Sequence, residues 1–297
     1  MASQSKSSFS FSLVDGKTAA SANLNDRGLT FGDGLFETLH YQRGCVPLLQ
    51  YHLARLRADC DRLKFNLDEA ALQLGLQQIY SDLSESLVDE ARIKVLVTRV
   101  NEELNSGSGG SYPSRQSSVR LYFYINEYQS FGDRSLVALR TSPVCLPDFE
   151  PLAGIKHTNR LPYIYGALQE NCTEGQELLF LDARNNIIES MHHNVFFVRG
   201  NTLVTPLIKT CGVRGVMRGL TLDRLAKDAG FQAEEKLCNQ ADIEHYDGLI
   251  LSNALHGFTT AGSVDGTELK SHKNIQEICG RLNTALENLK SQLRKVG

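Results

Sequence analysis

A lysine able to do covalent chemistry lies in residues 154–162, between a proline-rich stretch and a predicted helix. A lysine amine forms imines with carbonyl groups, and it serves as a base when burial lowers its pKa. Lys156 is followed there by His157 and, four residues on, by Arg160. Because most lysines are solvated surface residues, this segment alone does not assign a function. It makes Lys156 a candidate nucleophile, and the choice between this role and a surface position depends on the other segments.

Three other segments carry groups that suit a phosphorylated ligand. Residues 212–218 place glycines before a predicted helix, where free backbone N–H groups and the helix dipole favour a phosphate. Arg55 lies on a predicted helix with one apolar face, so it is either a surface residue or a phosphate ligand. Glu189 follows two β-branched residues and precedes Asn194, so it either caps a turn or points inward at a strand end. Each feature is common alone, and their order along the chain gives them weight.

The elements that must position these residues are mixed helices and strands. Apolar alternation and β-branched runs predict strands, and apolar residues at helical spacing predict amphipathic helices. A hairpin turn is predicted at Asp15 and Gly16, and the Gly/Ser-rich residues 105–118 are expected to form a mobile loop. Strands are predicted at residues 9–14, 36–41, 91–100, 119–125, 177–181, 195–199 and 247–253, with a short extra strand before residue 190. Helices are predicted at 48–63, 68–84, 161–171, 214–229 and 274–294.

A concentration of chain breakers predicts two domains of the α+β class. Pro143, Pro147, Pro151 and Gly154 lie close together and are typical of an interdomain connection. We therefore predict a smaller N-terminal α+β domain at residues 1–135, a linker at 136–155 and a larger C-terminal domain at 156–297.

Composition excludes several classes of function. The 297 residues carry a net charge of -3 without a basic stripe, which argues against nucleic-acid binding. Charges interrupt every long apolar run, and the first residues lack an apolar leader core, so neither a membrane span nor secretion is expected. The seven cysteines are scattered, which favours reduced thiols in the cytoplasm and argues against a structural zinc site or any other metal site.

Taken in order, these segments resemble the fold-type IV enzymes that use pyridoxal 5'-phosphate, the class IV aminotransferase-like family. The resemblance extends from about residue 25 to residue 266. Its pieces are the N-terminal signature at residues 25–38, His52 with Arg55, Lys156, Glu189 with Asn194, Gly215 with Val216, and residues 251–255.

The resemblance implies a two-domain fold like that of the D-amino-acid and branched-chain aminotransferases, a homodimer and a small-molecule substrate. It implies that Lys156 binds the cofactor as a Schiff base and then moves protons, with Thr38 assisting near the substrate. Glu189 would face the pyridine nitrogen. The other cofactor-binding residues it implies are Arg55, Asn194, Gly215, Val216, Met217, Asn253 and Ala254, and the substrate-binding residues are Tyr112 and Arg160.

Within the family, residues 156–161 and 252–255 look most like the lyases that act on 4-amino-4-deoxychorismate. That resemblance implies release of pyruvate and formation of 4-aminobenzoate for folate biosynthesis. One departure is residues 109–112, which lack the arginine that such lyases often carry before the tyrosine, so that either Arg99 or Arg115 replaces it or the substrate differs. Residues 256–260 also lack the usual proline.

Two alternatives stay open on these residues. The first is a class IV aminotransferase that acts on branched-chain or D-amino acids, since the N-terminal signature is shared. The second is a non-catalytic protein that kept the fold, against which the presence of Lys156, Glu189 and Arg55 argues.

Overall fold

The computed structural model describes residues 10–18, 26–100, 117–128, 136–172, 176–269 and 272–295. The chain divides into two units, one comprising residues 1–130 with 157–159 and the other residues 131–156 with 160–297. Both helices and sheets are present, which confirms the predicted α+β class. Among the described residues, no helix is both long and apolar enough to cross a membrane.

The first unit is an antiparallel sheet covered on one face by two helices. Its elements are β1 (Ser10–Val14), β2 (Lys17–Thr18), α1 (Arg27–Phe31), β3 (Gly34–Gln42), α2 (Leu49–Leu63), β4 (Phe65–Asn66), α3 (Glu69–Glu85), β5 (Glu90–Arg99) and β6 (Ser117–Glu127). The strand order is β2–β1–β6–β5–β3, and β4 pairs with β6 in parallel.

The register of this sheet sorts its side chains between two faces. Glu37, Val95 and Phe123 are cross-strand neighbours on β3, β5 and β6, and they share the face that α2 and α3 cover. Helix α3 approaches closely because Gly75 has no side chain, and a Cβ there would lie 2.5 Å from the Phe123 ring. Thr38 takes the opposite face, because successive residues of a strand alternate.

The second unit is a mixed sheet with a helix packed along it. Its elements are β7 (Val137–Thr141), α4 (Leu161–Gln169), β8 (Glu177–Leu181), β9 (Ile187–Ser190), β10 (Asn194–Arg199), β11 (Thr202–Pro206), α5 (Val216–Leu220), α6 (Ala226–Asp228), β12 (Gln232–Lys236), β13 (Gly248–Asn253), β14 (Gly257–Val264), β15 (Thr267–Glu268) and α7 (His272–Arg294). The order is β12–β11–β10–β13–β14–β7–β8–β9, with β15 on β14. Helix α7 packs on β13 and β14, and every residue of β8 is buried.

Most predicted elements are confirmed, including the hairpin, in which Asp15 and Gly16 both have positive φ as the preferred two-residue turns require. The helix predicted at 214–229 is confirmed, since residues 216–228 are continuously helical, but its middle segment, Thr221–Leu225, is π-helical and lies between α5 and α6. There the Thr221 hydroxyl donates to the Met217 carbonyl, a bond that competes with the regular helical pattern. The predicted loop at 105–118 lies outside the described residues, apart from its last two, which begin β6.

Strands β7, β11, β12 and β14 were not predicted. Strand β7 lies within residues 136–155, the predicted linker, and pairs with β8 and β14 of the second unit. Strand β12 has the sequence Gln-Ala-Glu-Glu-Lys, which lacks apolar alternation, and it forms at the sheet edge by parallel pairing with β11. The predicted domain boundaries stay a prediction.

Candidate active site

Lys156 follows Gly154, whose backbone is hydrogen-bonded to the glycine loop at residues 212–214. Gly154 N donates to the Gly212 carbonyl at 2.8 Å, and Arg214 N donates to the Gly154 carbonyl at 3.0 Å. Ile155 is fully buried, whereas Lys156 is half-buried. Two backbone bonds and a buried neighbour therefore fix the starting point of the Lys156 side chain, and the loop predicted to bind phosphate lies beside it.

Glu189 is a buried carboxylate at the centre of a hydrogen-bond cluster. Its Oε1 accepts from the Tyr163 hydroxyl at 2.5 Å, and its Oε2 accepts from Val213 N at 3.0 Å and from Asn194 Nδ2 at 3.3 Å. Burial raises the pKa of Glu189, although the charges of Arg160 and Lys156 and the bonds from Tyr163 and Val213 oppose that rise. The structure thus brings together Glu189 and Asn194, as predicted, and places Lys156 within electrostatic range of them.

Tyr163 is a site residue that the sequence reasoning missed. It lies in the first turn of α4, and its pKa is raised well above the ordinary value by burial and by the negative charge of Glu189. The Arg160 guanidinium stacks 3.3 Å from the Tyr163 ring centroid, and its Nη2 donates to the Met191 carbonyl at 2.9 Å. Pro162 marks the first turn of the helix, so the available signal was that Tyr163 lies at a helix start a few residues after Lys156. Substrate binding by Arg160 stays a prediction.

The glycine loop owes its path to close contacts with β9 and β10. An added Cβ at Gly212 would lie 2.4 Å from Ile188, and one at Gly215 would lie 1.9 Å from Asn194 Oδ1. Asn194 Nδ2 also donates to the Val213 carbonyl at 2.9 Å. The loop therefore enters α5 against the Asn194 amide, with Val216 and Met217 buried in the first turn.

Asn253 is the last residue of β13, and Ala254 begins the turn that leads to β14. Asn253 Oδ1 accepts from Leu255 N at 3.1 Å and from His256 N at 2.8 Å, which closes the turn. The neighbouring Ser252 is opposite Asn194 in the strand pairing. Its hydroxyl is buried and has no hydrogen-bond partner among the described residues, so this position has a polar group left for a ligand.

In the first unit, Arg55 is engaged by a buried glutamate. Its Nε and Nη2 donate to the two carboxylate oxygens of Glu37 at 2.8 and 2.6 Å, and His52 Nδ1 lies 2.8 Å from Glu37 Oε2. Burial of Glu37 opposes its ionisation, yet the charges and bonds of Arg55 and His52 lower its pKa to about 2. Phosphate binding by Arg55 stays a prediction.

The remaining predicted substrate residues are only partly described. Thr38 is half-buried and has Lys94 as its cross-strand neighbour. Tyr112 and Arg115 lie outside the described residues. Arg99 is buried and donates from Nε to Asp33 at 2.9 Å and from Nη2 to the Leu63 carbonyl at 2.9 Å. These bonds commit Arg99 to holding the N-terminal signature, so it is a poor replacement for the missing loop arginine.

The described residues contain no group of histidine, cysteine, aspartate or glutamate side chains that could hold a metal ion. All seven cysteines fall within those residues and are free thiols.

Comparisons with known proteins identify the family of the chain. The family described as "Amino-transferase class IV" matches residues 34–264. The aminodeoxychorismate lyase of Vibrio harveyi is 26% identical over 91% of this chain and 99% of its own length. A putative branched-chain-amino-acid aminotransferase of Methanocaldococcus jannaschii is 23% identical over 94% of each chain. The crystal structure of 4-amino-4-deoxychorismate lyase from Pseudomonas aeruginosa has a TM-score of 0.78 and 31% identity, covering 92% of this chain and 98% of that one. The chain therefore belongs to the class IV aminotransferase family and is a fold-type IV enzyme that depends on pyridoxal 5'-phosphate.

Proposed function

We propose that the protein is a lyase that converts 4-amino-4-deoxychorismate to 4-aminobenzoate and pyruvate in folate biosynthesis. The observation that carries this proposal is the segment of residues 156–161, which looks like that of the lyases. In it, Arg160 packs on Tyr163 and so joins the segment to the Glu189 cluster. The 31% identity to the Pseudomonas aeruginosa lyase over 92% of the chain supports the same assignment.

The buried polar groups of the second unit fit the cofactor. Glu189 is a carboxylate whose pKa is raised by burial, so a protonated ring nitrogen beside it would supply the charge it lacks. The unpartnered Ser252 hydroxyl lies next to Asn253 and opposite Asn194, where a phosphate oxygen would satisfy it. Gly215, Val216, Met217 and Ala254 offer backbone N–H groups for the same phosphate. Arg55 is the proposed ligand from the first unit.

Each residue then has a defined task. When bound, pyridoxal phosphate supplies an electron sink for a carbanion. Lys156 would hold the cofactor covalently, and its free amine would take a proton from one substrate carbon and return it to another. Thr38 assists that transfer, and Tyr112 and Arg160 bind the substrate. The two products together contain all atoms of the substrate, so the reaction needs no water and no oxidant.

The proposal is tested by incubating the cofactor-loaded protein with 4-amino-4-deoxychorismate and measuring both products, with Lys156→Ala as the control. Equal amounts of 4-aminobenzoate and pyruvate from the native chain, and neither from the variant, are expected. A yellow protein that forms neither product would contradict the lyase assignment and leave cofactor binding in place.

A second candidate function is an aminotransferase that acts on branched-chain or D-amino acids. The observation that favours it is the engagement of Arg99 by Asp33 and Leu63, which removes one of the two candidates for the missing arginine. The aminotransferase hypothesis predicts that an amino acid alone converts the bound cofactor to its amine form. Titration with a panel of L- and D-amino acids, followed by visible absorbance, separates the two functions.

We also propose that the enzyme is a cytoplasmic homodimer. Helix α4 exposes Leu161, Ile164, Tyr165 and Leu168, which recur at helical spacing on one face and are 48–71% exposed. Such a stripe favours a protein partner, and the free thiols suit a reducing compartment. Light scattering should give the mass of a dimer for the native chain and of a monomer for the double variant Ile164→Glu, Leu168→Glu.

A further inference from the structure

The short turn at residues 191–193 joins β9 to β10 and lies among the residues of the proposed cofactor site. It follows Glu189 after one residue and directly precedes Asn194. Ser190 N donates to the His193 carbonyl at 2.8 Å, and Met191 N donates to the Leu178 carbonyl at 3.0 Å. A movement of this turn would therefore displace Glu189 and Asn194 together.

Two further residues of the proposed site donate hydrogen bonds to backbone carbonyls of the same turn. Arg160 Nη2 donates to the Met191 carbonyl at 2.9 Å, and Asn253 Nδ2 donates to the His192 carbonyl at 3.4 Å. Four residues that the sequence analysis assigned to cofactor or substrate thus depend on three residues that it did not consider. A group that fixes the position of residues 191–193 therefore affects the whole proposed site.

Glu177, the first residue of β8, contacts the turn and the residue before it through its side-chain carboxylate. Its Oε2 accepts from the Ser190 hydroxyl at 2.8 Å and from His192 N at 3.4 Å. Its Oε1 lies 2.9 Å from His192 Nδ1 and 3.1 Å from His193 Nδ1. The carboxylate is buried, so its charge depends on these donors.

The groups around Glu177 favour its ionised form. Burial opposes ionisation, but the bonds and charges of His192 and His193 hold the pKa of Glu177 well below its usual range. The His193 ring is also buried, with its centroid 5.8 Å from that of His256. In the described part of the chain neither ring nitrogen of His193 has a partner with hydrogen-bond geometry, so its polar contact with Glu177 is the 3.1 Å approach of Nδ1 to Oε1.

We propose that Glu177 is a positioning residue that fixes the 191–193 turn through Ser190, His192 and His193, and so keeps Glu189 and Asn194 in place beside the cofactor. The proposal rests on the assignment of Glu189 and Asn194 to the cofactor made above. Glu177 touches neither substrate nor cofactor in this role. Hydrogen bonds to a charged acceptor are stronger than neutral ones, so a single carboxylate can hold several donors firmly.

The decisive variants are His192→Ala and His192→Asn. The His192 side chain is 61% exposed, so its removal should leave the fold intact. Alanine removes the donor to Glu177, whereas the asparagine amide places a donor close to the position of Nδ1. His245→Ala is the matched control, because His245 is 63% exposed and also faces a carboxylate, Asp242, at 3.8 Å. Glu177→Gln is the stronger variant, since it removes the charge and keeps the shape.

The measurements are the dissociation constant of pyridoxal phosphate and the visible circular dichroism of the loaded protein, which reports how the cofactor is oriented. His192→Ala should weaken cofactor binding roughly tenfold, the scale of one hydrogen bond to a charged group, and Glu177→Gln should weaken it more. Both should change the dichroism, His192→Asn should restore most of it, and His245→Ala should match the native chain.

A merely structural role would lower the melting temperature of the cofactor-free protein without altering binding or dichroism. The proposal is therefore overturned if His192→Ala binds the cofactor as His245→Ala does and gives the native dichroism. Failure of the lyase assignment looks different, since it appears in the native chain as bound cofactor without 4-aminobenzoate. If Glu177→Gln does not fold, the His192 variants still decide.

Discussion

Glu37 in the first unit and Glu189 in the second are both almost fully buried, yet their pKa values move in opposite directions. Glu37 receives two bonds from the Arg55 guanidinium and one contact from His52, and its pKa falls to about 2. Glu189 receives a phenol, a backbone N–H and an amide, and its pKa rises. Burial is common to both, so the difference lies in the charge of the partners.

The contrast separates a structural carboxylate from a candidate functional one. Glu37 and Arg55 form a neutralised pair of the kind that holds a helix to a sheet. Among the described residues, the groups that donate hydrogen bonds to Glu189 are uncharged. A buried carboxyl with a raised pKa is typical of a functional site, which supports the role proposed for Glu189.

The largest expected effect is on stability. Glu37→Gln leaves Arg55 buried beside an uncharged amide, and breaking a buried ion pair costs about 3–5 kcal/mol of unfolding free energy. Urea unfolding measures the change. The matched control is Glu90→Gln, because Glu90 also faces a histidine, His40 at 3.4 Å, but is 30% exposed. A similar small loss in both variants would contradict the view that the Glu37 pair holds the first unit together.

The next effect is on catalysis. In the proposed site, Glu189→Gln removes the negative charge that would keep the ring nitrogen protonated, and kcat should fall roughly 10²–10³-fold, the scale for loss of one electrostatic group in an active site. The rate of 4-aminobenzoate formation measures it, with cofactor binding checked by absorbance. Activity within a factor of about three of the native rate would show that Glu189 does not face the ring.

The two carboxyls should also differ in the sign of their pH dependence. The folded pKa of Glu37, about 2, lies below its ordinary value of 4.5. Its stabilising contribution, about 3 kcal/mol, is therefore present above pH 4.5 and is lost as the pH falls toward 2. The folded pKa of Glu189 is raised, so its ionisation costs stability as the pH rises above 4.5.

Unfolding of the cofactor-free protein at several pH values tests these signs. Glu37→Gln should flatten the loss of stability on the acid side. Glu189→Gln should make the cofactor-free protein more stable near neutral pH, because the amide has no charge to bury. Curves that run parallel for the native chain and both variants would refute the contrast.

The smallest effect concerns Tyr163. Tyr163→Phe removes the 2.5 Å hydrogen bond to Glu189 and should raise the pKa of that carboxyl further. We expect kcat to fall roughly tenfold and the pH dependence of the bound cofactor's absorbance to shift upward. Tyr165→Phe is the matched control, since Tyr165 lies on the same helix and is 52% exposed. Equal kcat and equal cofactor absorbance in the two variants would show that Tyr163 has no role in the active site.

The predictable part of the molecule is the part that short-range patterns encode. The hairpin at Asp15 and Gly16 follows from its turn residues, and α2 follows from apolar spacing. Strand β12 does not follow from a local pattern, because it forms by parallel pairing with β11.

The same division applies to the site. Lys156, Glu189 and Asn194 belong to motifs, and the cluster around Glu189 was foreseeable from their order. Tyr163 and Glu177 carry no motif, because an ordinary tyrosine or glutamate acquires its role only from what it contacts after folding. The pairing of Arg55 with Glu37 was likewise hidden, since the two residues lie 18 positions apart on different elements.

The contact between Gly215 and Asn194 has a consequence for the evolution of this chain. A side chain at position 215 would collide with the Asn194 amide at 1.9 Å, and a smaller residue at position 194 would remove the amide that donates to the Val213 carbonyl and to Glu189. The side chain at position 215 needs the space that the Asn194 amide fills. In descendants of this sequence, a substitution at position 215 should therefore follow a substitution at position 194.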